Sequence, residues 1–150
     1  TYGCKSMKET AKKALGEFVN LCKKKFREKL ISVIFFGSRV KGYERKYSDY
    51  DLLLVVKDLP FDPRKRLEEI EEIEDRIFDK YGIKISSILV EPDELFAPVN
   101  PLLFGVLTGY KILYGKKGWE KLLINAKKWI KKMKPVYIEG VREWKIEKLL

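Results

Sequence analysis

The stretch FFGSRVKGYERKYSDYDLLLVV, residues 35–56, joins two apolar segments through a polar one. The first apolar segment ends at Gly37 and Ser38, and the second begins with Asp-Tyr-Asp at residues 49–51. Glycine lets a backbone turn sharply and approach a ligand closely, and a serine at a helix start can cap the helix and offer its hydroxyl to phosphate. A helix start is itself an anion site. The stretch therefore predicts a strand, a phosphate-binding turn and a second strand.

The two aspartates of this stretch are spaced for metal binding. Side chains alternate along a strand, so Asp49 and Asp51 are expected on one face and Tyr50 on the other. The two carboxylates can then share a hard divalent cation such as Mg²⁺, which keeps positions open for water and phosphate oxygens. Four basic residues follow the turn closely enough for one or two of them to reach the same phosphates: Arg39, Lys41, Arg45 and Lys46.

A purely structural interpretation of the same residues is a turn followed by a polar strand entrance, because glycine, serine and aspartate are common in turns. Against it, Asp49 and Asp51 lie one pleat apart at the start of an apolar strand, where their charges repel each other unless a cation lies between them. The pattern therefore favours the functional interpretation.

The stretch resembles the nucleotidyltransferase superfamily related to DNA polymerase beta, and particularly its minimal nucleotidyltransferases, which serve as antitoxins beside HEPN-domain toxins. The family pattern is Gly-Ser, ten residues and Asp-x-Asp, and the segment from Gly37 to Asp51 matches it position for position. The resemblance covers residues 30–90. It implies an α/β (α+β) nucleotidyltransferase fold, in which a small mixed sheet is flanked by helices and extra C-terminal helices follow. A core at residues 30–95 and a helical part at 100–150 are expected to form one domain.

The resemblance also implies a reaction. A nucleoside monophosphate would pass from a Mg²⁺-bound nucleoside triphosphate, ATP by family expectation, to a hydroxyl acceptor such as a tyrosine of a HEPN-type toxin. In this reading Asp49 and Asp51 are the catalytic, metal-binding residues. Gly37 and Ser38 bind the nucleotide phosphates, and Arg39 is a weaker candidate for a phosphate contact.

One feature of the family is missing from the sequence. Active relatives carry a third carboxylate, a metal ligand and base, on the strand after the central helix, where this chain has KISSILV. Ser86 or Ser87 stands in its place, and neither can act as a base near neutral pH. Glu91 or Asp93 could substitute from the following loop, although helix capping is the commoner use of such residues. A non-catalytic module that binds nucleotide, RNA or a protein partner is therefore the alternative function.

Composition limits the chemistry further. The 150 residues, 45% of them apolar, suffice for one core. The chain has no histidine and only two cysteines, which excludes a histidine base and a structural zinc site. No apolar run approaches the roughly 18 residues of a membrane span, and the N-terminal segment lacks the pattern of a secretory signal. We therefore expect a cytoplasmic protein with no membrane contact, in which Cys4 and Cys22 are free thiols.

The net charge of +10 favours phosphate-bearing or acidic partners. Solvated charged faces in a thermophilic protein would explain the same lysines and glutamates equally well. The basic residues concentrate in two clusters: Lys23, Lys24, Lys25, Arg27 and Lys29, and Lys127, Lys128, Lys131, Lys132 and Lys134.

Hydrophobic periodicity predicts the remaining elements. A capping box at Ser6 indicates a long helix from Met7 to Glu28, and residues 83–90 are predicted as a third strand. In the central helix one apolar stripe is expected, consisting of Leu67, Ile70, Ile73 and Phe78.

The C-terminal third is predicted to be helical from Pro101 onward, interrupted at Gly115 and Gly118, while residues 135–150 are ambiguous. Its aromatic residues could stack on nucleic-acid bases, but their helical spacing favours core packing: Tyr110, Tyr114, Trp119, Trp129 and Trp144.

Overall fold

The computed structural model describes residues 2–41, 49–95 and 101–137. Its strands are β1 (Leu30–Phe36), β2 (Tyr50–Val56), β3 (Ile85–Val90) and β4 (Tyr110–Tyr114). Its helices are α1 (Tyr2–Phe26), α2 (Ser38–Lys41), α3 (Pro63–Tyr81), α4 (Pro101–Leu107) and α5 (Lys116–Tyr137), with short 3₁₀ turns at Arg27–Lys29 and Pro92–Leu95. None of the helices in these ranges combines the length and the hydrophobicity that a membrane span requires.

The four strands form one mixed sheet in the order β3-β2-β1-β4. Strands β2 and β3 are parallel, as expected for two strands joined through helix α3, and β1 pairs antiparallel with both β2 and β4. This agrees with the predicted mixed sheet flanked by helices.

Each face of the sheet is covered by helices, and strand β2 shows how its residues divide between them. Leu52 and Leu54 are buried in a cluster with residues of α1 and α3. Leu53 and Val55 are buried in a second cluster with residues of α4 and α5. Because both faces of the sheet are covered, β2 is apolar along nearly its whole length, and Asp51 is its one acidic residue.

Helix α3 is capped at both ends, and its buried stripe differs from the predicted one. Asp62 caps its start by accepting a hydrogen bond from the Arg64 backbone N–H at 2.9 Å, and Gly82 ends it in the left-handed conformation with φ +68°. The buried residues are Ile70, Ile73 and Ile77.

Two residues of the predicted α3 stripe are therefore wrong. Leu67 and Phe78 are 48% and 52% exposed. At 100° per residue, both lie roughly 90–110° around the helix from the centre of the buried stripe, outside the contact with the sheet.

The start of α1 also differs from the prediction. Residues before Ser6 are already helical, so Ser6 lies within the helix and does not cap it. The side chains of Ala14, Phe18 and Cys22 form the buried face of α1. Burial raises the pKa of the free Cys22 thiol to about 12, which makes it a poor nucleophile.

The prediction of continuous helix after Pro101 is wrong over residues 110–114. These residues form β4, which extends the sheet by pairing Ile112 with Ile34 and Tyr110 with Phe36. Their composition, Tyr-Lys-Ile-Leu-Tyr, suits a strand, but the deciding factor is the open edge of β1, a tertiary feature that helical periodicity does not reveal.

The connection from β4 to α5 packs closely against β1. Gly115 has φ +77°, and the Ser32 hydroxyl donates a 2.9 Å hydrogen bond to its carbonyl oxygen. A Cβ atom at Gly115 would lie 1.9 Å from the Ile31 carbonyl oxygen. This position therefore accepts only glycine without movement of the backbone.

We predict that Gly115→Ala lowers the free energy of unfolding by about 2–4 kcal/mol, because it adds both backbone strain and a clash with β1. Gly16→Ala is the matched control: Gly16 lies within α1 with open space around it, so alanine should stabilise the protein by up to ~1 kcal/mol. Urea denaturation of the two variants measures both effects. Equal stability of the two variants would contradict the close packing at Gly115.

Candidate nucleotide and metal site

Antiparallel pairing brings the end of β1 next to the start of β2. Phe36 lies opposite Asp51, so Gly37 follows directly beside the aspartate. Gly37 has φ +91°, and a Cβ atom built on it would lie 2.3 Å from the Asp51 Oδ2 atom. The Asp51 carboxylate therefore lies against the backbone of the Gly-Ser turn, as the sequence pattern requires.

The two aspartates influence each other electrostatically. Burial raises the pKa of the Asp51 carboxyl above its ordinary value, and the neighbouring charge of Asp49 raises it further. By strand alternation Asp51 shares its face with Leu53 and Val55, which pack against α4 and α5. Two partly buried carboxylates that repel each other suit a hard divalent cation, which would relieve both the repulsion and the loss of water.

The remaining members of the predicted phosphate site are only partly described. Helix α2 begins at Ser38, directly after the turn, so its first backbone N–H groups lie beside Gly37. The side chains of Ser38 and Lys41, and all of Arg45 and Lys46, lie outside the described residues.

The Arg39 guanidinium contacts Tyr50. Its Cζ atom lies 4.2 Å from the centre of the Tyr50 ring, and Nη1 donates a hydrogen bond to the Tyr50 Oη atom at 3.3 Å. The Tyr50 ring is buried with residues of α1 and α3, on the opposite face of the sheet from Asp51. The expected phosphate contact of Arg39 stays a prediction. The pair with Tyr50 was not predictable from the sequence, because no local pattern links an arginine to an aromatic residue eleven positions later.

Strand β3 separates the two serines that the sequence left as alternatives. Ser86 lies opposite Asp51 in the parallel register and shares its face. Ser87 is buried on the other face, where its backbone N–H donates to the Glu74 carboxylate of α3 at 2.9 Å. Burial raises the pKa of this Glu74 carboxyl. Ser86 is therefore the residue whose position corresponds to a third carboxylate.

Glu91 and Asp93 do not reach this site. They follow Val90, which lies beside Val55 at the other end of β2. At about 3.3 Å per strand residue, Glu91 is roughly 16 Å along the sheet from Ser86. The Glu91 carboxylate instead accepts a hydrogen bond from the Asp58 backbone N–H at 3.1 Å. The idea that either residue substitutes for the missing carboxylate is wrong.

Over the described residues, no group of three or more histidine, cysteine, aspartate or glutamate side chains is arranged to hold a metal ion. The metal site of Asp49 and Asp51 stays a prediction, and two carboxylates would need water and ligand oxygens to complete the coordination of a cation.

Among the described aromatic residues of the C-terminal part, Trp119 lies in the core and Tyr110 and Tyr114 pack against it. Trp119 is fully buried, with its ring edge-on to Tyr110 at a centroid distance of 5.7 Å. Leu122 and Ala126 of α5 are buried in the same cluster. Core packing is therefore confirmed for Trp119, while the side chains of Trp129 and Trp144 lie outside the described residues.

Comparison with known proteins identifies the family. The family described as nucleotidyltransferase domain matches residues 15–96. The chain belongs to this family.

A Methanocaldococcus jannaschii protein named "Putative protein adenylyltransferase" is 43% identical over 141 residues, which cover 91% of this chain and 94% of the relative. A second protein of that organism with the same description is 38% identical over 84 residues, 56% of this chain and 76% of the relative.

Two solved structures share the fold. A toxin-antitoxin crystal structure with AMP-PNP has a TM-score of 0.54 and 19% identity, covering 89% of this chain and 97% of its own. The crystal structure of spectinomycin adenyltransferase from Enterococcus faecialis, with ATP and spectinomycin, has a TM-score of 0.51 and 19% identity. The match covers 92% of this chain and 68% of that enzyme chain. At this identity the likeness concerns the fold alone, and it confirms the predicted nucleotidyltransferase architecture.

We predict that Gly37→Ala destabilises the protein and displaces the Asp51 carboxylate. The matched control is Gly82→Ala, since Gly82 also has a positive φ but open space around it. Backbone strain should cost about 1 kcal/mol in both variants, and the clash with Asp51 should add roughly 1–2 kcal/mol at Gly37 only. Combining Gly37→Ala with Asp51→Ala removes the clash and should recover that difference in urea denaturation. No recovery in the double variant would show that the contact is not the cause.

Proposed function

We propose that this protein transfers the nucleoside monophosphate of a Mg²⁺-bound nucleoside triphosphate to a hydroxyl group. The acceptor oxygen bonds to the α-phosphorus, the bond between that phosphorus and the bridging oxygen breaks, and pyrophosphate leaves. The observation that carries the proposal is the contact between the Gly37 turn and the Asp51 carboxylate, with Asp49 close enough to perturb it. Family membership over residues 15–96 supports the same reaction.

Each residue has a role in this proposal. Asp49 and Asp51 hold the metal ion, which supplies positive charge to the phosphate oxygens of the nucleotide. Gly37 allows the phosphates to approach the backbone closely, and Ser38 contributes the first N–H of α2 and its hydroxyl. The fully apolar residues Leu53 and Val55, next along the same face, exclude water behind the carboxylates and strengthen their attraction for the ion.

We further propose that the nucleotide is ATP and that the acceptor is a protein hydroxyl, by analogy with the relative named as a protein adenylyltransferase. A tyrosine of a HEPN-type toxin is the proposed acceptor, which would make this protein an antitoxin. The fold shared with a toxin-antitoxin structure containing AMP-PNP is compatible with that role. A cytoplasmic location stays a prediction.

A second candidate function is a binding module without catalysis. It is favoured by Ser86, which lies beside Asp51 and provides no carboxylate to accept the proton of an attacking hydroxyl. In that case the protein would bind Mg²⁺-nucleotide, RNA or a protein partner without turnover.

We predict that Asp51→Asn lowers the rate of transfer from labelled ATP by at least ~100-fold, because the amide is uncharged and binds a metal ion more weakly than a carboxylate does. The protein is incubated with Mg²⁺ and labelled ATP, alone and with a purified HEPN-type toxin. Asp93→Asn is the matched control: it removes an exposed carboxylate at the far end of the sheet and should leave transfer unchanged. Nucleotide binding by the wild type with no transfer to any acceptor would favour the binding module.

We also predict that Ser86→Asp raises the rate of transfer by at least ~10-fold, since a carboxylate at this position would join the aspartates and accept the acceptor proton. Ser87→Asp is the matched control, because Ser87 faces Glu74 on the opposite side of the sheet. That variant should lose stability and gain no activity. A folded Ser86→Asp variant no faster than wild type would contradict the assigned position.

A further inference from the structure

We propose that Arg39 and Tyr50 form a positioning pair that fixes the Gly-Ser turn relative to the two aspartates, an inference that rests on the proposed function. Arg39 lies in α2, one residue after Ser38, and Tyr50 lies between Asp49 and Asp51. The stacking distance of 4.2 Å and the 3.3 Å hydrogen bond therefore join the phosphate side of the site directly to its metal side.

Tyr50 is a rigid partner for this contact. Only 8% of the residue is exposed, and its ring packs against Phe35 of β1 at a centroid distance of 5.7 Å. Its backbone N–H donates to the Lys84 carbonyl oxygen at 2.9 Å, which ties the start of β2 to the start of β3. Any group stacked on this ring is consequently held relative to the aspartates on either side.

Helix α2 needs such a contact. It has only four residues, Ser38–Lys41, and so short a helix has little stability of its own. A guanidinium over an aromatic face is attracted more strongly when it is partly withdrawn from water, and both residues here are at least partly buried. The Arg39–Tyr50 contact thus anchors α2 to β2 on the face covered by α1 and α3. Gly37 contacts Asp51 on the face covered by α4 and α5.

This arrangement assigns Arg39 a role different from a phosphate contact. A ligand held by Asp51 lies on the face covered by α4 and α5, whereas the Tyr50 ring belongs to the cluster on the face of α1 and α3. The guanidinium is directed to the second face. Arg39 therefore acts through Tyr50, as a positioning residue.

A double-mutant cycle tests the pair. Arg39→Ala and Tyr50→Leu should each lower kcat/KM for ATP by about 10-fold, because a small displacement of the phosphate turn misaligns the reacting groups. The double variant should fall no more than about twofold below either single variant, since both substitutions break the same contact. Tyr50→Phe keeps the stacked ring and should retain activity within about twofold of wild type.

The control is Phe18→Leu, which perturbs the same buried cluster from α1 and leaves the Arg39 and Tyr50 side chains themselves unaltered. It should lower stability and leave kcat/KM unchanged. Multiplicative losses in the double variant, or a loss in Arg39→Ala with Tyr50→Leu unaffected, would overturn the pair in favour of a direct phosphate contact.

The same double-mutant cycle can be measured by nucleotide binding, without catalytic turnover. The dissociation constant of a non-hydrolysable ATP analogue with Mg²⁺ should show the same coupling between the two positions. A wild type that binds the analogue but transfers nothing would refute the transferase and still test the pair by this measurement. A wild type that binds no nucleotide would refute both.

Discussion

The site depends on one steric condition: the backbone of the turn after β1 occupies the space beside the Asp51 carboxylate. A Cβ atom at Gly37 would overlap that carboxylate, and the φ of +91° is one that other residues rarely adopt. The condition follows from the antiparallel register of β1 and β2, which sets Phe36 opposite Asp51. A slip of one residue would send both aspartates to the face of α1 and α3, so the apolar pattern of the two strands also fixes the chemistry.

The strongly apolar sheet behind the site has an electrostatic consequence. Burial and the charge of Asp49 both disfavour the charged form of Asp51, so the acidic pair opposes folding when no cation is present. Burial of Leu52, Leu53 and Leu54, which directly follow Asp51, offsets the free energy that the acidic pair costs. The two aspartates make the local charge of the site negative, which would repel an anionic triphosphate. The net charge of +10 on the whole protein attracts such a ligand.

The parts of the fold that local patterns control could be predicted from the sequence. The first three strands and the central helix follow from residue types and spacing, while the contact of Gly37 with Asp51 depends on the register of β1 and β2. Strand β4 was missed because pairing with β1 decided its structure. The exposure of Leu67 and Phe78 was missed because periodicity alone does not tell which side of a broad apolar stripe meets the sheet. The Arg39–Tyr50 contact joins residues eleven positions apart, and such contacts leave no periodic signal.

The parallel register of β2 and β3 decides how the missing carboxylate should be understood. Ser86 lies on the face of Asp51, while Glu74 of α3 accepts a hydrogen bond from the Ser87 backbone N–H on the opposite face. Glu74 is engaged in protecting the outer edge of β3, together with Arg66, which donates to the Leu89 carbonyl oxygen at 3.2 Å. It is therefore not available to the site without exposing that edge. In the proposed reaction two carboxylates would orient a metal-bound triphosphate, so substrate positioning and proton removal would be separable. If transfer takes place, its rate should follow the acidity of the acceptor hydroxyl, which makes a phenolic acceptor such as tyrosine chemically better suited than serine or threonine.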